Sequence, residues 1–355
     1  MNLSSVEVIP YALPFKEPYV TARGVLGQRE MVLLRVRDED GVVGLGEAVP
    51  LALRGGVGLV EVVRELEGWA ENREVAGLSA PARCAVATAE MDLLGRRAAD
   101  SASAPGLTEA VPCNATLVAG TPDEVAAQAE GWAQDGFTTF KLKLGAESAP
   151  VPRIGVLTRT REIETVRAVR EAVGDEARIR IDVNEAWDLD TAKRALQELE
   201  PLGIELAEQP VAGLEAMADL AGSTSIPLAA DESVATLAEA ERAAALGACD
   251  FTGIKLSKVG GPQEALAIAD VLPAYVTSAL DGPVGIAAAA QVALSLAETT
   301  HPERLHLAHG LATQRLFAAT IASVECEVRD GKLHLPPAPG LGVEIDEDAL
   351  QAHRL

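Results

Sequence analysis

The sequence predicts an α/β protein: a (β/α)8-type barrel with an N-terminal α+β domain that the C-terminal tail completes. Three observations predict it. Asp182, Glu208, Asp231 and Lys255 follow one another at intervals of 26, 23 and 24 residues, the length of one strand, loop and helix repeat. Each stands at the end of a short apolar run: Arg178–Asp182, Ile204–Glu208, Ile226–Asp231 and Phe251–Lys255. A helix-like segment follows each run, so the four polar residues mark strand C-terminal ends, where a barrel gathers its catalytic groups.

The chain has 355 residues, enough for a barrel and an accessory domain. About half are apolar (48%) but only 3% are aromatic, so the core is expected to be Ala, Val, Leu and Ile. The net charge is −23 with no basic stripe, which argues against a nucleic-acid partner. Cys84, Cys113, Cys249 and Cys326 lie far apart and form no Cys-x-x-Cys pair, against a disulfide framework or zinc site. They read as small core residues of a reduced, cytoplasmic protein. The first residues lack the basic-then-apolar order of a secretory signal. The Ala- and Val-rich stretch Val284–Leu296 is shorter than a membrane span, so no membrane partner is expected.

Residues 1–110 read as the α+β domain. Val6–Tyr11, Glu30–Arg37 and Val42–Glu47 are strands, with a turn at Glu39-Asp40-Gly41. Helices follow over Val57–Glu71 and Pro81–Ala98. Residues 111–315 read as the barrel. Its first two strands are Pro112–Leu117 and Thr138–Leu144, the four runs above are strands three to six, and Ala274–Ala279 and Arg304–Leu307 are the last two. Ile163, Val166 and Val169 share one face of a helix over Glu162–Val173, and Asp188 and Asp190 are candidate caps of the helix after strand three. Ala146–Thr160 is irregular, which explains the 39 residues from Lys143 to Asp182. After about residue 313 the chain reads as a helix, then extended segments over Glu325–Leu335 around Asp330-Gly331, then a Pro-rich tail, and residues 316–355 are expected to pack on the N-terminal domain.

The second barrel strand ends in Lys141-Leu142-Lys143, whose lysines share one face and enter the barrel mouth. Mutual repulsion and burial are expected to lower a lysine pKa toward the range of a base. Asp182, Glu208 and Asp231 are candidate ligands for Mg²⁺, with Mn²⁺ as an alternative. Asn184, Gln209 and Glu232 are supporting candidates. Lys255 lies across the barrel from the Lys-x-Lys strand, and Lys258 belongs to the following loop. Three lysines, three acids and a dication leave the site about +2 by this count, suited to an anionic substrate. A proton beside a carboxylate is weakly acidic, because its removal adds a second negative charge. A bound dication and a nearby lysine make that removal feasible, the arrangement known from enolase-type sites.

These motifs resemble the enolase superfamily, muconate-lactonizing subgroup, over nearly the whole chain. They are Gly41–Pro50 (GVVGLGEAVP), Lys141–Lys143, Ile181–Trp187 (IDVNEAW), Ala207–Pro210 (AEQP), Ala230–Ser233 (ADES) and Ile254–Gly261 (IKLSKVGG). Cys113–Thr116, Ser278–Asp281, Val284–Ala287 and His309–Thr313 are similar to the o-succinylbenzoate synthases of menaquinone biosynthesis. The resemblance implies an enolase-like modified barrel under a capping domain. It implies a Mg²⁺ site at Asp182, Glu208 and Asp231, and Lys143 as the base that abstracts the α-proton and then assists loss of water. Lys255 would stabilise the enediolate as a cation, and Lys141 would contact the carboxylate. Loops Thr21–Gly27 and Leu51–Gly56, with Arg23 and Leu51, would form a lid, and Ser278 and Leu311 would line the substrate pocket. The expected partner is a small-molecule carboxylate, and a homo-oligomer is left open. Pro18–Glu30 also resembles dipeptide epimerases and N-succinylamino-acid racemases, so a racemase, an epimerase or a cycloisomerase is the alternative. The region His306–Thr313 carries no Asp-x-Asp, which favours a substrate without a free ammonium.

Overall fold

The computed structural model describes the chain apart from residues 1, 22–23, 51, 53–54, 100–109, 119, 146–158 and 298–306. Arg23, Leu51 and most of the expected eighth strand lie outside the described residues.

β1 (Leu3–Thr21), β2 (Gly24–Asp38) and β3 (Val43–Ala48) form an antiparallel sheet in that order. β1 runs far beyond the expected Val6–Tyr11. It is an edge strand, where prolines cost no ladder bond, and a register shift between Pro14 and Tyr19 carries it onward. Helices α1 (Leu59–Asn72) and α2 (Ala80–Ala99) cover one face. The unbroken apolar run of β2 follows from burial on both sides. Val32, Leu34 and Val36 pack with Leu66, Trp69 and Ala85 of the helices, while Met31 and Leu33 join the core shared with the barrel.

The barrel region follows a short strand, β4 (Ala110–Pro112). Its parallel strands are β5 (Ala115–Leu117), β6 (Thr139–Lys143), β7 (Arg178–Asp182), β8 (Ile204–Glu208), β9 (Leu228–Ala230), β10 (Phe251–Ile254) and β11 (Ala274–Val276), hydrogen-bonded in chain order as one sheet of seven. Between them lie α3 (Pro122–Gln134), α4 (Arg159–Val173), α5 (Leu189–Leu199), α6 (Leu214–Ala221), α7 (Leu237–Leu246), α8 (Leu256–Val259) and α9 (Pro262–Val271), and α10 (Pro283–Ala297) follows β11. Parallel bridges from His309 to Cys113 and from Gly310 to Thr277 bring the two edges of the sheet together. The eighth position is thus held by residues just beyond the expected Arg304–Leu307.

Three local expectations are corrected. Asp188 alone caps α5, accepting from Thr191 N at 2.7 Å, and Asp190 sits one residue inside the first turn. The expected first barrel strand is split, because Ala110–Pro112 pairs with the C-terminal region instead. The helix expected from about residue 313 to before Glu325 is only a short 3-10 turn, Ala312–Leu316, which gives way to extended chain.

The C-terminal region contains β12 (Ala322–Val324), β13 (Glu327–Arg329), β14 (Lys332–His334), β15 (Glu344–Ile345) and α11 (Glu347–His353). Asp330 and Gly331, both at positive φ, turn β13 into β14, as a two-residue hairpin demands. The tail lies on the N-terminal sheet. Leu355 N donates to Pro10 O at 3.0 Å, and Glu347 pairs with Arg35 at 2.6 Å. Buried Asp92 of α2 accepts from Leu45 N of β3 (2.8 Å) and Leu341 N of the tail (2.7 Å), tying three segments together. Among the described residues no helix is long and apolar enough to cross a membrane.

A second junction joins sheet and barrel. Buried Glu47 of β3 accepts from Tyr11 Oη (2.8 Å) and from Gly282 N at the start of α10 (2.7 Å). Burial, reinforced by nearby Asp281, pushes its carboxyl up to about 8.

Helix α2 rests directly on β3 because Gly44 and Gly46 have no side chain. A Cβ at Gly46 would overlap the carbonyl of Ala85. Gly46→Ala is therefore expected to lose about 1–3 kcal/mol or more through overpacking. A urea or thermal unfolding curve, with a lowered midpoint, checks this.

Candidate active site

The strand ends bring the expected charged residues together. Asp182, Glu208 and Asp231 are each fully buried at adjacent strand ends. In-register pairing sets Lys143 beside Asp182 and Asp182 beside Glu208. Lys141 Nζ stands 2.6 Å from Glu208 Oε1, 2.7 Å from Glu208 Oε2 and 2.8 Å from Asp182 Oδ2. Lys143, a quarter exposed, contacts Asp182 Oδ2 and lies 3.1 Å from Asn184 Oδ1. Lys255 contacts Asp231 Oδ2. Lys258 points back to the same aspartate, 3.0 Å from Oδ1. Four ammonium groups therefore face three carboxylates.

The balance of burial and charge corrects one expectation. Burial alone would depress Lys141, but Asp182 and Glu208 outweigh it and hold the ammonium above its ordinary value. The neighbouring lysine matters less than two carboxylates in contact. Burial penalises the charge of Asp182 too, yet Lys141 and Lys143 hold it below the usual carboxylate range. Burial pushes Glu208 up, with Asp182 adding to the rise and Lys141 opposing it.

Supporting residues define the backbone. Asn184 and Gln209 occupy the left-handed region just after β7 and β8, at φ 49° and 39°. Such strain is characteristic of functional sites. Gln209 Oε1 accepts from Asp231 N (2.9 Å) and Ser233 N (3.1 Å), fixing the aspartate's backbone. Asn184 Nδ2 donates to Glu232 Oε1 at 3.0 Å. Ser278 Oγ donates to Asp281 Oδ2 (2.7 Å), and Leu311 is fully buried.

Beneath the acids lies a layer that sequence reasoning missed. Buried Tyr275 donates from its hydroxyl to Glu208 Oε2. Arg180, two residues before Asp182 and on its face, lies over the Tyr275 ring at 5.1 Å. Its Nη1 donates to Ala308 O at 2.6 Å, and His309 Nδ1 accepts from Val276 N at 3.0 Å. The two-residue parity from Asp182 was the available signal for Arg180.

The donor set suits a hard dication, since three buried carboxylates supply oxygen ligands. Asp182 Oδ1 is buried and lacks a hydrogen-bond partner, an acceptor that a cation would satisfy. Among the described residues no three acid, His or Cys side chains already stand in a metal-holding arrangement; ammonium groups occupy the space between the carboxylates. The residues fit the ion by chemistry, and lysines and cation would share the same oxygens.

A curled parallel sheet with acids and lysines gathered at its strand ends is the architecture of a barrel enzyme. A family model described as enolase C-terminal domain-like matches residues 124–349. Another, the mandelate racemase/muconate lactonizing enzyme N-terminal domain, matches residues 4–65. The chain belongs to the enolase superfamily and is an enzyme of that group. It is 34% identical to an o-succinylbenzoate synthase of Thermobifida fusca over 79% of this chain and 83% of the relative. Its fold is similar to muconate lactonizing enzyme from Pseudomonas fluorescens complexed with muconolactone (TM-score 0.87, 27% identity, 100% and 99% of the two chains). It is also similar to a dipeptide epimerase from Enterococcus faecalis complexed with Mg and a dipeptide (TM-score 0.84, 25% identity, 97% and 100%).

Burial, with Arg180 adding to it, holds His309 down to about 3. The unfolded chain then binds a proton that the native state refuses between about pH 6.5 and 3. Its contribution to stability is present above pH 6.5 and lost as pH falls. His309→Asn keeps an acceptor for Val276 N and removes the titration. Urea midpoints measured from pH 7 to 5 should fall less steeply for the variant than for the parent.

Proposed function

We propose that this chain is a divalent-cation-dependent enzyme that removes the proton beside a substrate carboxylate, and that its reaction is the o-succinylbenzoate synthase dehydration. One observation carries the reading: Lys143 of β6 and Lys255 after β10 flank three buried acids from the strands between them. The similarity to the Thermobifida fusca synthase supports the choice of substrate. The four free cysteines support a reducing, cytoplasmic setting.

Asp182, Glu208 and Asp231 would hold Mg²⁺, or Mn²⁺ in its place, and the ion when bound supplies Lewis-acid stabilisation of charge on the substrate carboxylate. Lys143 Nζ takes the α-proton of the cyclohexadiene carboxylate. It then passes that proton to the departing hydroxyl, which leaves as water and yields the aromatic product. Lys255 stays cationic and balances negative charge on the other side of the substrate. Lys141 bridges Asp182 and Glu208 and keeps two buried negative charges tolerable side by side.

A second reading is an isomerase: N-succinylamino-acid racemase, dipeptide epimerase or cycloisomerase. The presence of lysines at both strand ends favours it, since two-sided proton transfer needs two such groups. His306–Thr313 offers no acid to grip a substrate ammonium, which weighs against the epimerase.

Purified protein with Mg²⁺ and the cyclohexadiene carboxylate should generate ultraviolet absorbance of the aromatic product. Deuterium exchange into N-succinylamino acids without that absorbance would instead select the isomerase. Lys143→Ala should lose about 10²–10⁴-fold in kcat, the worth of a positioned general base. Unchanged turnover in that variant would remove Lys143 from the mechanism. Dialysis against EDTA should abolish activity, and added Mg²⁺ or Mn²⁺ should restore it.

A further inference from the structure

Glu208 is reached from below by a side chain to which no role has been assigned. Tyr275, on β11, fills the barrel interior under the acids and is 1% exposed. Its hydroxyl donates to Glu208 Oε2. Three neighbours fix the phenol. Arg180 lies over the ring at 5.1 Å and is itself tethered by Glu205 and Ala308 O. Leu206 and Ala229 pack around it as an apolar cluster. Gly253 on adjacent β10 leaves room for it: a Cβ there would lie 3.2 Å from Tyr275 Oη and 3.3 Å from Cζ.

Lys141 cannot set the rotation of the Glu208 carboxylate unaided. Its ammonium lies 2.6 and 2.7 Å from the two oxygens, nearly symmetrically, and acts as a compact charge with freely turning donors. A phenol O–H on a rigid ring is directional and engages one oxygen only. We propose that Tyr275, braced by Arg180 and admitted by Gly253, is the positioning residue that locks the Glu208 carboxylate for a divalent cation. This rests on the reading of Asp182, Glu208 and Asp231 as the cation site. The carboxylate that would bind the ion is held in advance by a buried partner, which lowers the cost of ordering it on binding.

The test is a Mg²⁺ titration by calorimetry on the full-length protein, with thermal unfolding in EDTA measured in parallel. Tyr275→Phe keeps the ring and removes the donor. It should weaken Mg²⁺ binding by about 10–100-fold, the usual cost of losing such a supporting contact, while the melting midpoint in EDTA stays close to the parent's. Turnover of the variant should recover as Mg²⁺ is raised. Gly253→Ala displaces the phenol from a different strand and should weaken Mg²⁺ binding in the same direction; it carries the test if Tyr275→Phe does not fold. Parent-like Mg²⁺ affinity in Tyr275→Phe, or in Gly253→Ala where that variant carries the test, overturns the inference. So does an affinity loss matched by a large drop of the melting midpoint in EDTA, which would make Tyr275 a packing residue. A parent protein that binds no Mg²⁺ would instead sink the reading of the three acids, a separate outcome.

Discussion

The structure depends on compensating charge that has been taken out of water. Three carboxylates, each fully buried, would be prohibitive alone in a medium of low polarity. The lysines at the ends of β6 and after β10 make them tolerable, and Asp182 and Glu208 in turn hold Lys141 charged. Neither set is stable without the other, because removing one member of a buried pair leaves its partner uncompensated. The barrel's geometry follows from this demand. Only the convergence of parallel strand ends places side chains from β6, β7, β8, β9 and β10 within contact of one another.

The layers beneath and beside this cluster keep it rigid. Arg180 crosses from β7 to the carbonyl of Ala308, while His309 takes up the amide of Val276. Side chains thus supply hydrogen bonds at the seam where the edges of the sheet meet. Gln209 holds the backbone of Asp231 and Ser233. The N-terminal sheet is secured separately, through Asp92 to the tail and through Glu47 to the start of α10.

Much of this was legible in the sequence because barrel periodicity is strict. The spacing of Asp182, Glu208, Asp231 and Lys255 located four strand ends, and β7 and β8 have the expected bounds. The Lys-x-Lys parity brought Lys141 and Lys143 to the same carboxylate, Asp182. What stayed hidden depends on partners distant in the chain. The sign of the Lys141 shift is set by Asp182 and Glu208, both distant along the chain, rather than by its neighbour. Tyr275 sits in an apolar run with nothing local to mark its hydroxyl as a donor to Glu208. The splitting of the first barrel strand is decided by the hairpin at Asp330-Gly331, which captures Ala110–Pro112. The length of β1 escaped because prolines read as strand breakers unless the strand is known to be an edge.

The contact between Glu47 and the first residues of α10 has an evolutionary corollary. A Cβ at Gly282 would strike the Tyr11 hydroxyl and Glu47 Oε2, and one at Gly285 would come within 2.6 Å of Glu47 Oε1. An acid in the first fifty residues and two glycines more than two hundred residues later therefore form one heritable unit. Recombination that exchanged the front of this chain for that of a relative would keep this contact only where both parents share the acid and the glycines. The boundary between the two parts is less a free modular joint than a lock whose key is written at the other end of the gene.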